Sequence, residues 1–182
     1  MTHRQQTINP RAFSLIEVLF SIVMFTVGIL GVVSLINQSM VASMNRRNET
    51  IAGQLAQEGI ELVRNIRDNN WLNDPDHPFQ NIGNRDDGII DYNPATEVVG
   101  NGGNFNLHIN DDGLYEHGTA QEFFQRRIII TGDDANKTIK SIVTWGGNTP
   151  TDSPSEDSCS PATKCFYTEV TLNGVWGINI AS

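Results

Sequence analysis

The sequence predicts an α+β fold in which one long N-terminal helix packs against an antiparallel β-sheet. Residues 18–36 are an apolar run without an ionisable group or a proline, and an amphipathic helical pattern follows them. From residue 122 onward, β-branched and aromatic runs alternate with turn residues. Helical segments that precede a series of strands indicate an α+β arrangement rather than alternating βαβ units.

The first helical segment is long enough to cross a membrane. Residues 18–36 read VLFSIVMFTVGILGVVSLI. At about 1.5 Å per residue they form a helix of roughly 29 Å, close to the thickness of a bilayer's hydrocarbon core. Glu17 stands at the N-terminal end of this run. Because a charged side chain within a membrane helix costs about 2.5–3.5 kcal/mol, we expect Glu17 to have a partner and a function.

The second helical segment, residues 37–68, is amphipathic. Its apolar and small residues recur at spacings of three and four, so they form one stripe along a helix. We expect this stripe to pack against the sheet, and the helix to end at Asp68-Asn69-Asn70. The stripe consists of Ala52, Leu55, Ala56, Gly59, Leu62, Val63 and Ile66.

The remainder of the chain, residues 69–182, is predicted to form a β-rich head. Residues 74–113 are rich in Asn, Asp, Gly and Pro, a composition typical of loops with brief strands. Asn173-Gly174, between the last two apolar runs, predicts a two-residue hairpin. The predicted strands cover residues 88–92, 104–109, 122–131, 138–145, 165–172 and 175–180.

The residues before and after Glu17 occur in a specific order. Residues 1–12 are polar, contain two arginines and no acid, and end in the small residue Ala12. Phe13 follows, then an acid four positions later, then the apolar run. Over residues 11–36 this order resembles the N-terminal signal of type IV pilins and the related pseudopilins.

The resemblance implies a processing pathway. In that family a prepilin peptidase cuts before the phenylalanine, here between Ala12 and Phe13, and the new amine on Phe13 is methylated. The carboxylate at the position of Glu17 pairs in the filament with the N-terminal amine of a neighbouring subunit. This chain departs from the family in having Ala12 where glycine is usual, and in lacking a proline midway along residues 18–36.

The resemblance also assigns the segments of the chain and their location. It implies a single-pass precursor in the cytoplasmic membrane with its head outside, followed by an extracellular or periplasmic filament. The segments are a leader peptide (1–12), a transmembrane and assembly helix (13–36), its amphipathic continuation into the head (37–68) and an extracytoplasmic β-rich head (69–182).

Two other interpretations of the apolar run stay open. An ordinary secretory signal has a basic start, an apolar centre and a small-residue cleavage site. Residues 41–43 offer such a site, which would release a soluble protein beginning near Met44. Alternatively, the run is a plain membrane anchor in which Glu17 has no role.

Cys159 and Cys165 are the only cysteines in the chain. An even number of cysteines in an exported domain indicates a disulfide. A disulfide-bounded loop near the C-terminus is also common in the family that the chain resembles. Free thiols and a metal site are the alternatives, although the histidines follow no zinc-ligand spacing.

Acidic residues cluster in the predicted loops of the head. Carboxylate oxygens are the ligands that calcium prefers, and some pseudopilins bind calcium in their head loops. On that resemblance, Asp86, Asp87 and Asp91 are calcium candidates. No stretch matches the EF-hand pattern, and solvated turns are the other explanation of these residues. No other cofactor is expected.

Composition and motifs argue against two function classes. The chain has 21 acidic and 12 basic residues and a net charge of −9, which disfavours direct binding of nucleic acid. It contains no nucleophile elbow, phosphate loop or HExxH motif, so we do not expect an enzyme.

These features predict a prepilin, a structural subunit of a type IV pilus or related filament that polymerises through its N-terminal helix. The expected partners are other copies and other pilins, the prepilin peptidase, the inner-membrane assembly platform and the membrane itself. A pseudopilin of a type II secretion system and a subunit of a DNA-uptake pilus share this architecture. A membrane-anchored adhesion or binding module that never polymerises is the alternative from a different class.

Overall fold

The computed structural model describes residues 14–92, 100–101, 103–119, 123–150 and 158–174. Within these residues the chain has an α+β structure, with one long helix and an antiparallel sheet of seven strands. The chain divides into two units, Met1–Met44 and Asn45–Ser182. Each unit is described by itself.

Helix α1 runs from Leu15 to Asn73. The Ser14 carbonyl accepts hydrogen bonds from the backbone N–H groups of Glu17 (2.9 Å) and Val18 (3.3 Å) at its start. Glu17 lies in the first turn, where a negative charge is favourable beside the unpaired N–H groups of the helix. The apolar run continues the helix without a proline, as its sequence predicts.

The helix ends later than its sequence predicts. It passes through residues 68–70 and stops at Asn73. Asn70 is buried, and its side-chain amide donates to the backbone carbonyls of Pro78 (3.2 Å) and Gln80 (2.6 Å). An asparagine breaks a helix by bonding to its own nearby backbone. Here the amide bonds to the turn that follows, so the helix continues.

The sheet is built around β5. Strand β6 pairs with β5 from Phe124 to Gly132, and β7 pairs with β6. On the opposite edge, β1 pairs with the C-terminal half of β5 and β3 with its N-terminal end. Strands β2 and β4 extend β1 and β3 outward. The strands are β1 (Arg85–Ile89), β2 (Gly100–Asn101), β3 (Asn106–Ile109), β4 (Tyr115–His117), β5 (Phe124–Gly132), β6 (Asn136–Trp145) and β7 (Cys165–Asn173).

The longer predicted strands are confirmed within a few residues, whereas Asn173-Gly174 does not have the backbone of a type I′ turn. A two-residue type I′ turn needs positive φ at both central residues, and neither Asn173 nor Gly174 has one. Asn173 is still in β7, and the Gly174 N–H donates to the Ala135 carbonyl (2.7 Å) in the turn between β5 and β6. The last predicted strand, residues 175–180, lies outside the described residues.

One face of the sheet packs against the second half of α1, as predicted. Leu62 is half-buried, and the other residues of the predicted stripe are buried. Ile60, which was not part of the predicted stripe, is buried beside them. The stripe meets two groups of sheet residues. One contains Ile128, Ile130, Ile139 and Leu172, and the other contains Leu107, Phe124, Val143 and Trp145.

Gly59 allows α1 to approach the sheet closely. A Cβ atom here would lie 2.7 Å from the Ser141 hydroxyl and 2.9 Å from Cδ1 of Ile128. Replacing Gly59 with alanine is therefore expected to destabilise the head by about 1–3 kcal/mol through overpacking. This loss is reduced by alanine's higher helix propensity, which is worth about 1 kcal/mol. Urea unfolding followed by tryptophan fluorescence measures the change.

Gly53 provides the matched control in the same helix. A Cβ atom there would lie 3.6 Å from the Phe166 ring, an ordinary contact. Gly53→Ala should therefore leave stability unchanged or raise it by up to about 1 kcal/mol. Equal effects of the two substitutions would show that close packing at Gly59 is not important.

The opposite face of the sheet carries a smaller core. Ile129, Ile142, Cys159 and Cys165 are buried together there, with Tyr167 packed against them. Cys159 belongs to a loop that contains a short 3-10 helix (Pro161–Thr163), and Cys165 is the first residue of β7. The loop therefore covers part of this face of the sheet.

Candidate assembly segment

The first unit presents an apolar surface with no protein covering it. All residues from 15 to 44 are exposed, and the large side chains among them are mostly aliphatic or aromatic. Phe25, for example, exposes 72% of its surface. Among the described residues, this is the one helix whose length and composition suit a membrane crossing. A continuous apolar surface of this size is typical of a segment that contacts lipid or another protein.

Two hydroxyl side chains inside the apolar segment are satisfied by the helix itself. The Ser21 hydroxyl donates to the Glu17 carbonyl (2.7 Å), and the Thr26 hydroxyl donates to the Ile22 carbonyl (2.7 Å). Hydroxyl groups bonded in this way add little cost in an apolar environment, because no donor is left unpaired.

The Glu17 carboxylate is the exception. Within the described part of the chain it makes no side-chain hydrogen bond or ion pair, and it lies on the exposed surface of the helix. The proposed cleavage residues Ala12 and Phe13 lie outside the described residues. The arrangement is therefore an apolar helix with one unpartnered acid in its first turn, next to the predicted cleavage position.

Models of protein families, curated proteins and solved structures gave no match to the chain. The carboxylate of Glu17 is suited to bind a cation that comes from another molecule or another copy of this chain. An apolar surrounding strengthens such a pair, because water no longer screens it.

The predicted disulfide is present between Cys159 and Cys165. No described cysteine is free, so the free-thiol and metal alternatives are wrong. Both residues are buried on the outer face of the sheet. The bond ties the covering loop to the start of β7.

Replacing both cysteines with alanine is expected to destabilise the head by about 2 kcal/mol, because cross-links that close short loops remove only a modest chain entropy. Urea unfolding with and without a reducing agent measures the effect. The wild-type protein should lose stability on reduction, while the double variant should not respond. A stable variant with wild-type unfolding would mean that the bond adds nothing to the outer core.

The three calcium candidates do not converge. Asp86 and Asp87 are consecutive, exposed residues of β1 and lie where its register with β5 is irregular. Asp91 follows β1 and is already bound to other side chains. Among the described residues, no three His, Cys, Asp or Glu side chains are arranged to hold a metal ion.

Asp91 belongs to a cluster of charged residues that the sequence did not reveal. Its Oδ1 atom lies 2.5 Å from Nδ1 of His117 and accepts the backbone N–H of the same residue (2.9 Å). It also lies 3.9 Å from Nη2 of Arg126. His117 and Arg126 are almost completely buried, with 3% and 0% of their side chains exposed.

Arg126 connects three parts of the head. Its Nη1 donates to Glu58 Oε1 (3.0 Å) and to the Leu55 carbonyl (3.3 Å) of α1. Its Nη2 donates to the Ile90 carbonyl (2.6 Å) just after β1. Because Arg126 lies in β5 and faces α1, its guanidinium joins the helix, the end of β1 and the sheet.

The environment of Asp91 shifts its titration. Burial raises the pKa of this carboxyl, but hydrogen bonds from His117 and the charges of His117 and Arg126 outweigh burial and hold the pKa below its usual value. The carboxylate therefore stabilises the folded state above about pH 3.9, the ordinary value. This contribution is lost as the pH falls through the lower pKa of the folded protein.

Replacing Asp91 with asparagine is expected to reduce stability by about 1.5–3 kcal/mol at pH 6, the range for hydrogen bonds to charged groups. The difference from wild type should shrink as the pH falls from 4 to 2, because the wild-type carboxylate is then protonated as well. Urea unfolding at several pH values measures both. A difference that stays constant down to pH 2 would contradict a role for the charge.

One signal in the sequence could have identified this cluster. Residues 122–131 read EFFQRRIIIT, in which Arg126 shares the core-facing side with Phe124 and Ile128. A charged residue at a core position of a strand needs a buried partner. The pattern does not show which acid supplies it, because Glu58 and Asp91 lie far away along the chain.

Proposed function

We propose that this chain is a prepilin, the precursor of a structural subunit of a type IV pilus or related filament. The observation that carries the proposal is the exposed apolar segment of α1, residues 15–44, whose one acid, Glu17, has no partner within the described residues. The order of residues 11–17, which resembles the prepilin signal, supplies the partner. Cleavage between Ala12 and Phe13 creates an amine one helical turn from Glu17.

The proposed pair explains why assembly requires cleavage. In a filament, the carboxylate of Glu17 binds the amine of Phe13 on a neighbouring copy, and both charges are buried among apolar helices. A buried charge without its partner is strongly unfavourable. An uncleaved copy offers no amine at Phe13 and therefore does not assemble. Methylation leaves the charge of the amine in place.

The α+β structure of residues 45–182 supports the same proposal, since pilins carry a sheet on the second half of their helix. The partners proposed are the prepilin peptidase, the inner-membrane assembly platform, and other pilins. The precursor is proposed to cross the cytoplasmic membrane once with its head outside. The filament then lies outside the cell or in the periplasm.

The mature N-terminus tests this proposal. The protein is purified from its native host, or from a strain with a prepilin peptidase, and its N-terminal peptide is identified by mass spectrometry. A peptide that begins at methylated Phe13 is expected. An intact Met1 would favour a plain membrane anchor, and a start near Met44 would favour a secreted soluble protein.

The cell fraction that contains the mature chain distinguishes a pilus subunit, a pseudopilin and a module that does not polymerise. A pilus subunit should appear in filaments sheared from the cell surface. A pseudopilin should stay in the periplasm and co-purify with a secretion platform. A module that never polymerises should be missing from both fractions and remain in the membrane.

A further inference from the structure

Along the edge of β5 that faces away from β6, the partner strand changes at Arg126. Strand β1 pairs with β5 at Ile128 and Ile130, whereas β3 pairs with it at Gln125 and Phe124. The β3–β4 hairpin is thus joined to the central strand by two residue pairs, and Leu107 and Tyr115 pack with Phe124 in the core. His117, the last residue of β4, adds a polar attachment beside these contacts.

Both ring nitrogens of His117 face oxygen atoms. Nδ1 lies 2.5 Å from Oδ1 of Asp91, and Nε2 lies 3.1 Å from the backbone carbonyl oxygen of Arg126. Neither a carboxylate nor a carbonyl can donate a hydrogen bond. A neutral imidazole carries one N–H, so only the doubly protonated ring can donate to both oxygens.

The charges around the ring favour the same form. Asp91 after β1 and Glu58 on α1 are negative, and Arg126 on β5 is positive. A protonated His117 brings this cluster to neutrality, and a neutral ring leaves it with one uncompensated negative charge. On the hairpin itself, Nε2 of His108 lies 3.0 Å from Oε1 of Glu116. These two residues form the cross-strand pair next to that of Leu107 and His117.

The other way to satisfy both contacts is a protonated Asp91 that donates to Nδ1. Two features argue against it. The carboxylate also accepts the backbone N–H of His117 and lies near Arg126, both of which favour its charged form. Its lowered pKa agrees with that assignment.

We propose that His117 is a pH-sensitive latch for the β3–β4 hairpin. With both ring nitrogens protonated, it ties the hairpin to Asp91 at the end of β1 and to the backbone of β5. When the ring loses one proton, one of the two oxygens faces a nitrogen that can no longer donate a hydrogen bond. That hydrogen bond is lost, so the hairpin is held less firmly. Histidine as a residue type ordinarily changes charge between pH 5 and 8, and pH values near the two ends of that interval are therefore chosen for the test.

Hydrogen–deuterium exchange of the full-length chain in detergent micelles tests the latch. Protection of peptides from residues 106–117 is compared at pH 5.5 and 8.5, after correction for the intrinsic effect of pH on exchange. We expect hairpin protection to fall about tenfold at pH 8.5, as loss of one charge-assisted hydrogen bond predicts. Peptides from β6 should keep their protection.

Two variants make the test specific. His117→Gln cannot gain a charge, so its hairpin should be weakly protected at both pH values. His108→Gln removes the neighbouring histidine and should keep the wild-type response. The proposal is overturned if wild-type protection does not change with pH, or if His117→Gln shows the same change as wild type.

A measurement on the wild-type protein makes the test independent of variant folding. Ring nitrogen-15 NMR signals of His117 report directly which nitrogens carry protons. At pH 5.5 both should be protonated, and at pH 8.5 one should not. A neutral ring at pH 5.5, in a folded protein with a protected hairpin, overturns the latch.

Discussion

Replacing Glu17 with alanine is expected to remove this chain from sheared filaments, while leaving it folded and inserted in the membrane. In the proposed filament, Glu17 neutralises the amine of Phe13 on the next copy. Breaking a buried ion pair by removing one partner costs about 3–5 kcal/mol, because the remaining charge is uncompensated. This corresponds to a loss of affinity of roughly 10²- to 4 × 10³-fold at each subunit contact. Repetition along a filament amplifies that loss.

The measurement compares the amounts of wild-type and variant chain in the sheared and membrane fractions. Glu17→Gln keeps the size of the side chain and removes its charge, so it should fail as alanine does. Ser21→Ala is the matched control one turn further along, because the Ser21 hydroxyl bonds only within its own helix. If the Glu17 variants enter filaments as well as wild type, the charge-pair account is wrong.

Replacing Arg126 with methionine is expected to cause the largest loss of stability in the head. The substitution keeps most of the apolar stem but removes the guanidinium that binds Glu58 and the Ile90 carbonyl. Removing one partner of a buried charged network costs about 3–5 kcal/mol. For a head of this size, such a loss lowers the melting temperature by roughly 10 °C.

Thermal and urea unfolding, followed by the fluorescence of tryptophans that include the buried Trp145, measure the effect. Arg64→Met is the matched control on α1. Arg64 pairs with Glu61 (2.6 Å) at the exposed surface, so its loss should cost less than about 1 kcal/mol. Similar losses for the two arginine variants would show that the buried network contributes no more than a surface pair.

Periodicity predicted the secondary structure well where one face of an element is buried. The stripe from Ala52 to Ile66 shows regular spacing of apolar residues and packs as that spacing indicates. The strands that became β5, β6 and β7 were predicted instead from their β-branched and aromatic residues, because β5 and β6 are largely buried on both faces and do not alternate regularly. The two-residue β2 and the three-residue β4 were not predicted. Strands this short contain too few residues to display a period.

Predictions from short sequence motifs failed where a hydrogen bond to a residue outside the motif determines the backbone conformation. The residues at 68–70 usually end a helix, but the Asn70 amide bonds to the backbone of the following turn. Asn173-Gly174 usually forms a hairpin, but Gly174 bonds to Ala135 and β7 runs through Asn173. In both places a partner outside the local segment decides the backbone conformation.

By itself, the sequence determined that a long apolar helix with an acid at its start precedes an amphipathic stripe and a β-rich head. These properties follow from the hydrophobicity and spacing of neighbouring residues, which any conformation of the chain retains. The tertiary structure alone decided that Glu58, Asp91 and His117 gather around the buried Arg126. These residues come together only because particular strands pair in a particular register. A charged residue that is buried by this pairing needs a partner, and the partner can come from a distant part of the chain.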